Sequence, residues 1–345
     1  MTLPDRRLRD LKLGTDSPDA LTLLEPMTRI VVDPWEPNYG TSVGFDEDGP
    51  DQRSPAALDS DLEMPADEWR PIGPKPGLRA PDVVYFVDGV RRLDARVWLE
   101  DAEQTYAGIA ASLAAGVVRC DRTAGVAEVL TPQVERGIFT AAPGVTALGE
   151  RPTRYEARRV EVRDPNRLVN AVQSRLEALE SEVSADVARD GDLLVADGRL
   201  RGRVRLPNVV GYVKTHHSRY LPERLTAVVT GLHPGQRTPI FTIGSQWPVH
   251  TWYARLPGPG DSAWAGMVRV ECDAALAADA AIALADLTIV TLPDYASTPH
   301  KDPRAPQNLV PISGLERRLR SALGDARLLH RTLVRLAAGA APVRG

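Results

Sequence analysis

The sequence predicts a mixed α/β fold, on three observations. Short apolar runs bounded by turn residues recur across residues 83–120 and again across residues 192–273. A long amphipathic stretch separates the two groups. The run that follows it, Asp192–Gly198, is an apolar strand ending on a carboxylate. Strands, a helix and then buried-looking strands are the pattern of a sheet covered by helices.

The first group reads as three strands. VVYFVDG (Val83–Gly89) ends in Asp-Gly, RLDARVWLE (Arg92–Glu100) follows at once, and TYAGIAASLAAGVVRC (Thr105–Cys120) is the third. Such short connections predict an antiparallel meander. RPTRYEARRVEVRD (Arg151–Asp164) is strand-like and solvent-facing. A helix is expected from about Asn166 to Ala188, because Leu168, Val169, Val172, Leu176, Leu179, Val183 and Val187 recur at helical spacing. Val209–Lys214, Pro239–Gly244, His250–Leu256 and Met267–Asp273 read as further strands. Asp273–Leu287 is an Ala-rich helix, and a proline-rich loop precedes a last helix from Gly314 to about Ala337.

The composition is that of a globular chain with a sizeable core: 43% hydrophobic and 26% charged residues. No apolar run approaches the ~18 residues that cross a bilayer, and MTLPDRRLRD lacks the apolar region of a secretory signal. Two distant cysteines, Cys120 and Cys272, argue against a disulfide scaffold or a CxxC metal site. A cytoplasmic protein is the expectation. Residues 1–80 hold 16 acidic and 9 basic side chains, whereas residues 81–345 hold 30 and 33. The acidity centres on residues 46–68, which read as a mobile acidic segment inside an N-terminal extension spanning residues 1–80. Residues 81–345 are then the main domain.

Two apolar strands end in the same dipeptide, Asp88-Gly89 and Asp197-Gly198. Taken singly, each is a common turn signal. Together they place carboxylates at the ends of neighbouring strands, where hard divalent cations find oxygen ligands and assist phosphodiester hydrolysis. A third carboxylate is available on the helix. At 100° per residue, Glu180 falls roughly 60° from the centre of the apolar stripe, Glu182 about 100° and Glu177 about 120°. Glu180 therefore borders the buried face, where a solvent-reaching side chain is the plainer alternative.

Val87-Asp88-Gly89, a Glu on a following helix, Ala196-Asp197-Gly198-Arg199-Leu200 and Gly211-Tyr212-Val213-Lys214 stand in the order and spacing of the NurA nuclease family, which residues 81–340 resemble. The resemblance implies an RNase H-like mixed sheet flanked by helices. It implies a manganese-dependent DNA nuclease (magnesium being the other candidate), with 5'-3' exonuclease and single-strand endonuclease action and two ions. Asp88, Glu180 and Asp197 would be metal ligands and Lys214 would sit near the scissile phosphate. A homodimer is implied, as is a HerA-like hexameric translocase as partner in resecting broken DNA ends.

One departure stands out. The family commonly carries a Tyr and a His in the proline-rich segment, and Pro306–Ile312 has neither. Tyr295 and His300 lie upstream, with His300 the candidate extra ligand, and His216 and His217 follow Lys214. Arg199, Arg201, Arg203 and Arg205 alternate on one face of an extended segment and suit phosphate contacts. Arg151, Arg154, Arg158, Arg159 and Arg163 form a second band that is as well explained as plain surface. Trp247, Trp252 and Trp264 are candidates for base stacking and, more simply, core residues. The absence of GxxxxGK[ST] and GxSxG argues against a motor and an α/β-hydrolase nucleophile. Two alternatives to a DNA-repair nuclease remain: a weakly active or inactive DNA-clamping subunit of the translocase complex, and a defence or RNA-acting nuclease on the same fold.

Overall fold

A computed structural model of the protein describes residues 29–34, 57–101, 103–130, 132–161, 164–187, 191–200, 208–214, 220–244, 247–258 and 262–339. Its strands are β1 (Arg29–Val32), β2 (Ala57–Asp59), β3 (Val83–Glu100), β4 (Thr105–Asp121), β5 (Val126–Val129), β6 (Gln133–Thr140), β7 (Glu156–Arg159), β8 (Leu193–Asp197), β9 (Val209–Val213), β10 (Phe241–Gly244), β11 (Val249–Arg255) and β12 (Met267–Asp273). Its helices are α1 (Pro165–Ala185), α2 (Glu223–Thr230), α3 (Ala278–Thr291), α4 (Val310–Ala322) and α5 (Ala326–Gly339).

The two strands expected at residues 83–89 and 92–100 are one. The ladder runs unbroken through Asp88-Gly89: β3 pairs antiparallel with β4 from Val83↔Asp121 to Glu100↔Thr105, with one irregularity between Leu93 and Ala95. Asp88 faces Gly116 and Gly89 faces Ala115. A long partner strand supplies ladder bonds that a turn at Asp88-Gly89 would forfeit, so the local turn preference loses. The third strand of the meander is β6, which pairs antiparallel with β4.

After α1 the chain enters β8, parallel to β3, and then β9, parallel to β8. The order β6-β4-β3-β8-β9 is the expected RNase H-like mixed sheet: three antiparallel strands, a helix and two parallel strands. The sheet continues through β12, β11, β10 and β2 on one side and β7 on the other, with β1 on β3 and β5 on β4. One face packs Val84, Phe86, Val195 and Tyr212 under α3 and α4. The other packs Tyr85, Val87, Leu194 and Ala196 under Leu168, Val172, Leu176, Leu179 and Val183 of α1, the apolar stripe read from sequence. Gly116 on β4 lets α4 close in, with Leu319 Cδ2 3.2 Å from where a Cβ would stand.

Several boundaries differ from expectation. The strand-like reading of Arg151–Asp164 holds only for Glu156–Arg159. The Ala-rich helix starts at Ala278, because Asp273 ends β12 and its carboxylate takes the Ala275 N–H at 2.9 Å in a turn. The single last helix is two. Gly324 sits at φ +78°, which ends α4, and Asp325 Oδ1 caps α5 by accepting from Leu328 N at 2.7 Å. Gly324→Ala forces a side chain into the left-handed region and is expected to cost about 1–2 kcal/mol in chemical denaturation; a neutral result would mean that the turn relaxes.

The acidic segment at residues 46–68 lies partly outside the described residues, and residues 57–68 lie against the sheet. β2 pairs with β10, Glu63 binds Arg237 through both oxygens, and Trp69 packs on Phe241 with centroids 5.8 Å apart. Among the described residues, no helix is long and apolar enough to cross a membrane.

Candidate active site

β3 and β8 run parallel with Val87 beside Ala196, so one further step sets Asp88 beside Asp197. By alternation both side chains share the face of Val84, Phe86 and Val195. Asp197 does end its strand: Gly198 turns at φ +83° while its N–H bonds Tyr212 O at 2.9 Å. Asp88 does not. It lies in the interior of β3, whose neighbours beyond Val87 on that edge are, among the described residues, only β1 at Val97–Glu100. The carboxylates meet because β8 stops where β3 continues.

The pair is electrostatically stressed. Burial pushes the Asp88 carboxyl well above its ordinary range, and the charges of Asp197 and Glu180 push it further. The Lys214 ammonium and the Gly89 N–H, which donates to Asp88 Oδ1 at 2.8 Å, pull the other way without prevailing. Lys214, one residue past β9, donates to Asp197 Oδ2 at 2.7 Å and to Asn308 Oδ1 at 3.2 Å. Asp197 Oδ1 is buried with no hydrogen-bond partner.

Glu180 arrives from the opposite face. It is 9% exposed on α1 and lies against Gly89, whose absent side chain opens the sheet to it. A Cβ on residue 89 would collide with Glu180 Oε1 and stand 3.0 Å from its Cγ and 2.8 Å from Leu176 Cδ1. Of the other two helix acids, Glu182 is exposed and pairs with Arg175 at 2.7 Å, while Glu177 accepts from Gln173 Nε2 at 3.1 Å. Gly89→Ala is expected to displace Glu180 from Asp88 and to weaken divalent-cation binding at least several-fold in calorimetry. Unchanged cation binding would remove Glu180 from the site.

Among the described residues, no three Asp, Glu, His or Cys side chains converge on one point as a metal cage. Glu180 approaches Asp88 across the sheet through the gap at Gly89, and Lys214 bonds Asp197 Oδ2, leaving Oδ1 free of a hydrogen bond. The donor chemistry nevertheless fits a hard cation. Two adjacent carboxylates and a third nearby outnumber one ammonium, and one buried oxygen has no donor.

The proline-rich segment meets the site through other residues than those expected. Asn308 is fully buried; its amide nitrogen donates to Asp302 Oδ2 and, at 2.6 Å, to Ser313 Oγ. That fixes which end of the amide faces Lys214. Gln307 accepts from the buried Tyr212 hydroxyl through its backbone oxygen at 2.6 Å. His300 is exposed, and Tyr295 packs edge-on to Phe86 with centroids 4.7 Å apart. Neither lines the cavity of about 630 Å³ over Asp88, Asp197 and Lys214, which is walled by Gly89–Leu93, Leu176, Arg304, Gln307, Glu316 and Arg320.

Arg199 bonds the Tyr220 hydroxyl and does not line this cavity; Arg201, Arg203, Arg205, His216, His217 and Arg163 lie outside the described residues. In the second band, Arg154 pairs with Glu156 and Arg158 with Glu135, as plain surface residues do. Trp252 is core, donating to Thr288 Oγ1 at 3.2 Å; Trp264 packs on Tyr253, and Trp247 is exposed. Sequence reasoning missed Asn308, Arg304 and Arg320, and only the departure at Pro306–Ile312 marked their neighbourhood.

No protein-family model and no curated protein matches the chain. Among solved structures, the chain is similar to the NurA nuclease from Sulfolobus solfataricus, with a TM-score of 0.45 and 12% identity over 77% of this chain and 88% of that one. It is also similar to endonuclease V from Bacillus subtilis, with a TM-score of 0.31 and 11% identity over 75% of this chain and 88% of that one.

Proposed function

We propose that this chain is a metal-dependent nuclease that hydrolyses DNA phosphodiester bonds, with Asp88, Asp197 and Glu180 holding the divalent cation. One observation carries the reading: a half-buried, mutually repelling Asp88–Asp197 pair, with Glu180 behind it, opens into a cavity that also holds a lysine. A fold does not keep such repulsion for stability, and perturbed carboxylates in a cleft mark functional sites. A bound divalent cation supplies Lewis-acid polarisation and eases ionisation of water at neutral pH. Asp88 and Asp197 fix its place from two rigid strands, and Glu180 adds charge across Gly89. Lys214 sets an ammonium where negative charge develops on the phosphate, held at the cavity by Asn308. The motifs shared with the NurA family further support manganese as the metal, two ions, a homodimer, and work on DNA ends beside a HerA-like hexameric translocase.

The test is cleavage of linear single- and double-stranded DNA, and of RNA, with Mn²⁺ or Mg²⁺. Divalent-dependent cutting of DNA is expected. No cutting by the wild-type chain, with a translocase supplied, overturns the reading, and preferential cutting of RNA redirects it to the alternative substrate. The Lys214–Asp197 ion pair favours a second reading, a DNA-clamping subunit in which the ammonium permanently takes the cation's place. Calorimetry with Mn²⁺ separates the two, since a clamp of that kind binds none.

A further inference from the structure

The cavity wall built by residues 304–320 has a charge pattern unlike its floor. Arg304, in the proline-rich segment, and Arg320, on the last turn of α4, both reach Glu316. Arg320 holds it at 2.7 Å, whereas Arg304 stands 3.6 Å from both Glu316 and Asp302. The two arginines are 60% and 65% exposed, and Glu316 is 25% exposed between them. The wall's other cations are committed: Arg92 donates to Asp94, to Gly324 O and to Leu323 O, and Arg91 donates to Gln173. Arg304 and Arg320 are thus the guanidinium groups of the cavity that have exposed faces and share Glu316, with Asp302 as a further partner of Arg304 alone.

The geometry points to Arg304 and Arg320 as a phosphate-backbone clamp for a nucleic-acid strand entering the site, with Glu316 as the counter-anion that a phosphate displaces. The shared carboxylate marks where an anion sits between the two forks, and guanidinium binds phosphate oxygens with the same bidentate geometry. On exchange the phosphate takes both arginines, and Glu316, already 25% exposed, turns to solvent, where water carries its charge. The ligand chemistry is the phosphodiester backbone, which DNA and RNA strands share, and only its identity as substrate rests on the nuclease reading.

Binding of a labelled single strand to the full chain, without divalent metal and across a salt series, tests the clamp. For a single strand the log–log salt slope loses roughly 0.7 for each phosphate contact removed. Arg304→Ala and Arg320→Ala are each expected to flatten the slope by about that amount, and Arg304→Lys with Arg320→Lys to keep it. Glu316→Gln, which removes the competing anion, is expected to tighten binding several-fold. Unchanged slopes in both alanine variants, with melting temperatures intact, overturn the clamp, as does weaker binding by Glu316→Gln. Equal effects on DNA and RNA strands place recognition in the backbone, and an effect on RNA alone makes RNA the strand. The outcomes stay separable: flattened slopes in a protein that never cuts would keep the clamp and discard the nuclease, and cutting with unchanged slopes would do the reverse.

Discussion

Asp88→Asn is expected to abolish metal-dependent cutting while making the metal-free protein more stable at neutral pH. The two effects share one cause. Asp88 is half-buried beside Asp197, within reach of the Glu180 charge, and its carboxyl is held well above the ordinary range. Removing a ligand that organises a cation forfeits several kcal/mol of transition-state stabilisation, which is a rate loss of about 10³-fold or more. The same substitution deletes a repulsion and keeps the shape, and releasing strain of that kind at a functional site typically returns about 1 kcal/mol. The pH dependence follows in sign. A carboxyl whose folded value is raised binds its proton more tightly in the folded than in the unfolded chain. Its contribution is therefore complete below the unfolded value of about 3.9 and is lost as pH rises through the folded value. Melting curves in EDTA should show wild type losing stability over that window and Asp88→Asn losing less, the gap closing in acid. Asp197→Asn should share the loss of cutting, but it also takes the charge from the 2.7 Å ion pair with Lys214, so it should not share the stabilisation. An Asp88→Asn protein that still cuts, or that melts below wild type at neutral pH, would mean that Asp88 serves the fold.

Asp88 also illustrates what the sequence could and could not disclose. The chemistry of the pair was legible, because two carboxylates closing apolar runs are informative wherever the strands are neighbours. The parallel register that makes them neighbours was not, since it depends on the crossover through α1. The Asp-Gly signal misled at Asp88 and succeeded at Asp197. Locally the dipeptides are alike, and the difference is that β4 offers Asp88-Gly89 a continuous partner while Gly198 turns at φ +83°. Helical geometry set Glu180 at the border of the buried face, where a solvent-reaching side chain was the plainer reading, and it did not disclose the approach from the opposite face through the gap at Gly89. Strands β8 to β12 were legible because they are short, apolar and bounded by turn residues. Lys214's second acceptor, Asn308, was out of reach, because it sits in irregular chain placed by tertiary bonds from Tyr212, Asp302 and Ser313.

Arg237→Ala is expected to cost about 3–5 kcal/mol, the range for stripping one partner from a buried ion pair. Arg237 is fully buried. Burial works against its charge, and the hydrogen bonds and charges of Glu63 and Asp286 outweigh it, leaving the guanidinium raised. Glu63 takes two of its nitrogens at 2.7 and 2.8 Å, Asp286 on α3 takes two at 2.6 and 2.9 Å, and Lys75 reaches the other Asp286 oxygen at 2.6 Å. Alanine leaves Asp286, 1% exposed, with only the half-exposed Lys75. The network is costly to break without being the most stable filling of that space. Arg237→Met with Glu63→Leu and Asp286→Leu should recover most of the loss in urea titrations, because well-packed apolar groups replace buried ions at little cost. What apolar filling cannot reproduce is direction. Glu63 also accepts from Ile240 N at 2.8 Å, and Arg237 pairs with Ile72 through the backbone, so the charges register residues 57–78 against β10 and α3. Limited proteolysis should therefore cut the triple variant within residues 57–78 faster than wild type even where its global stability is restored. Equal protection would show that β2 and Trp69 suffice to seat the segment. A loss under ~1 kcal/mol for Arg237→Ala would mean that water reaches the site and relieves the two acids.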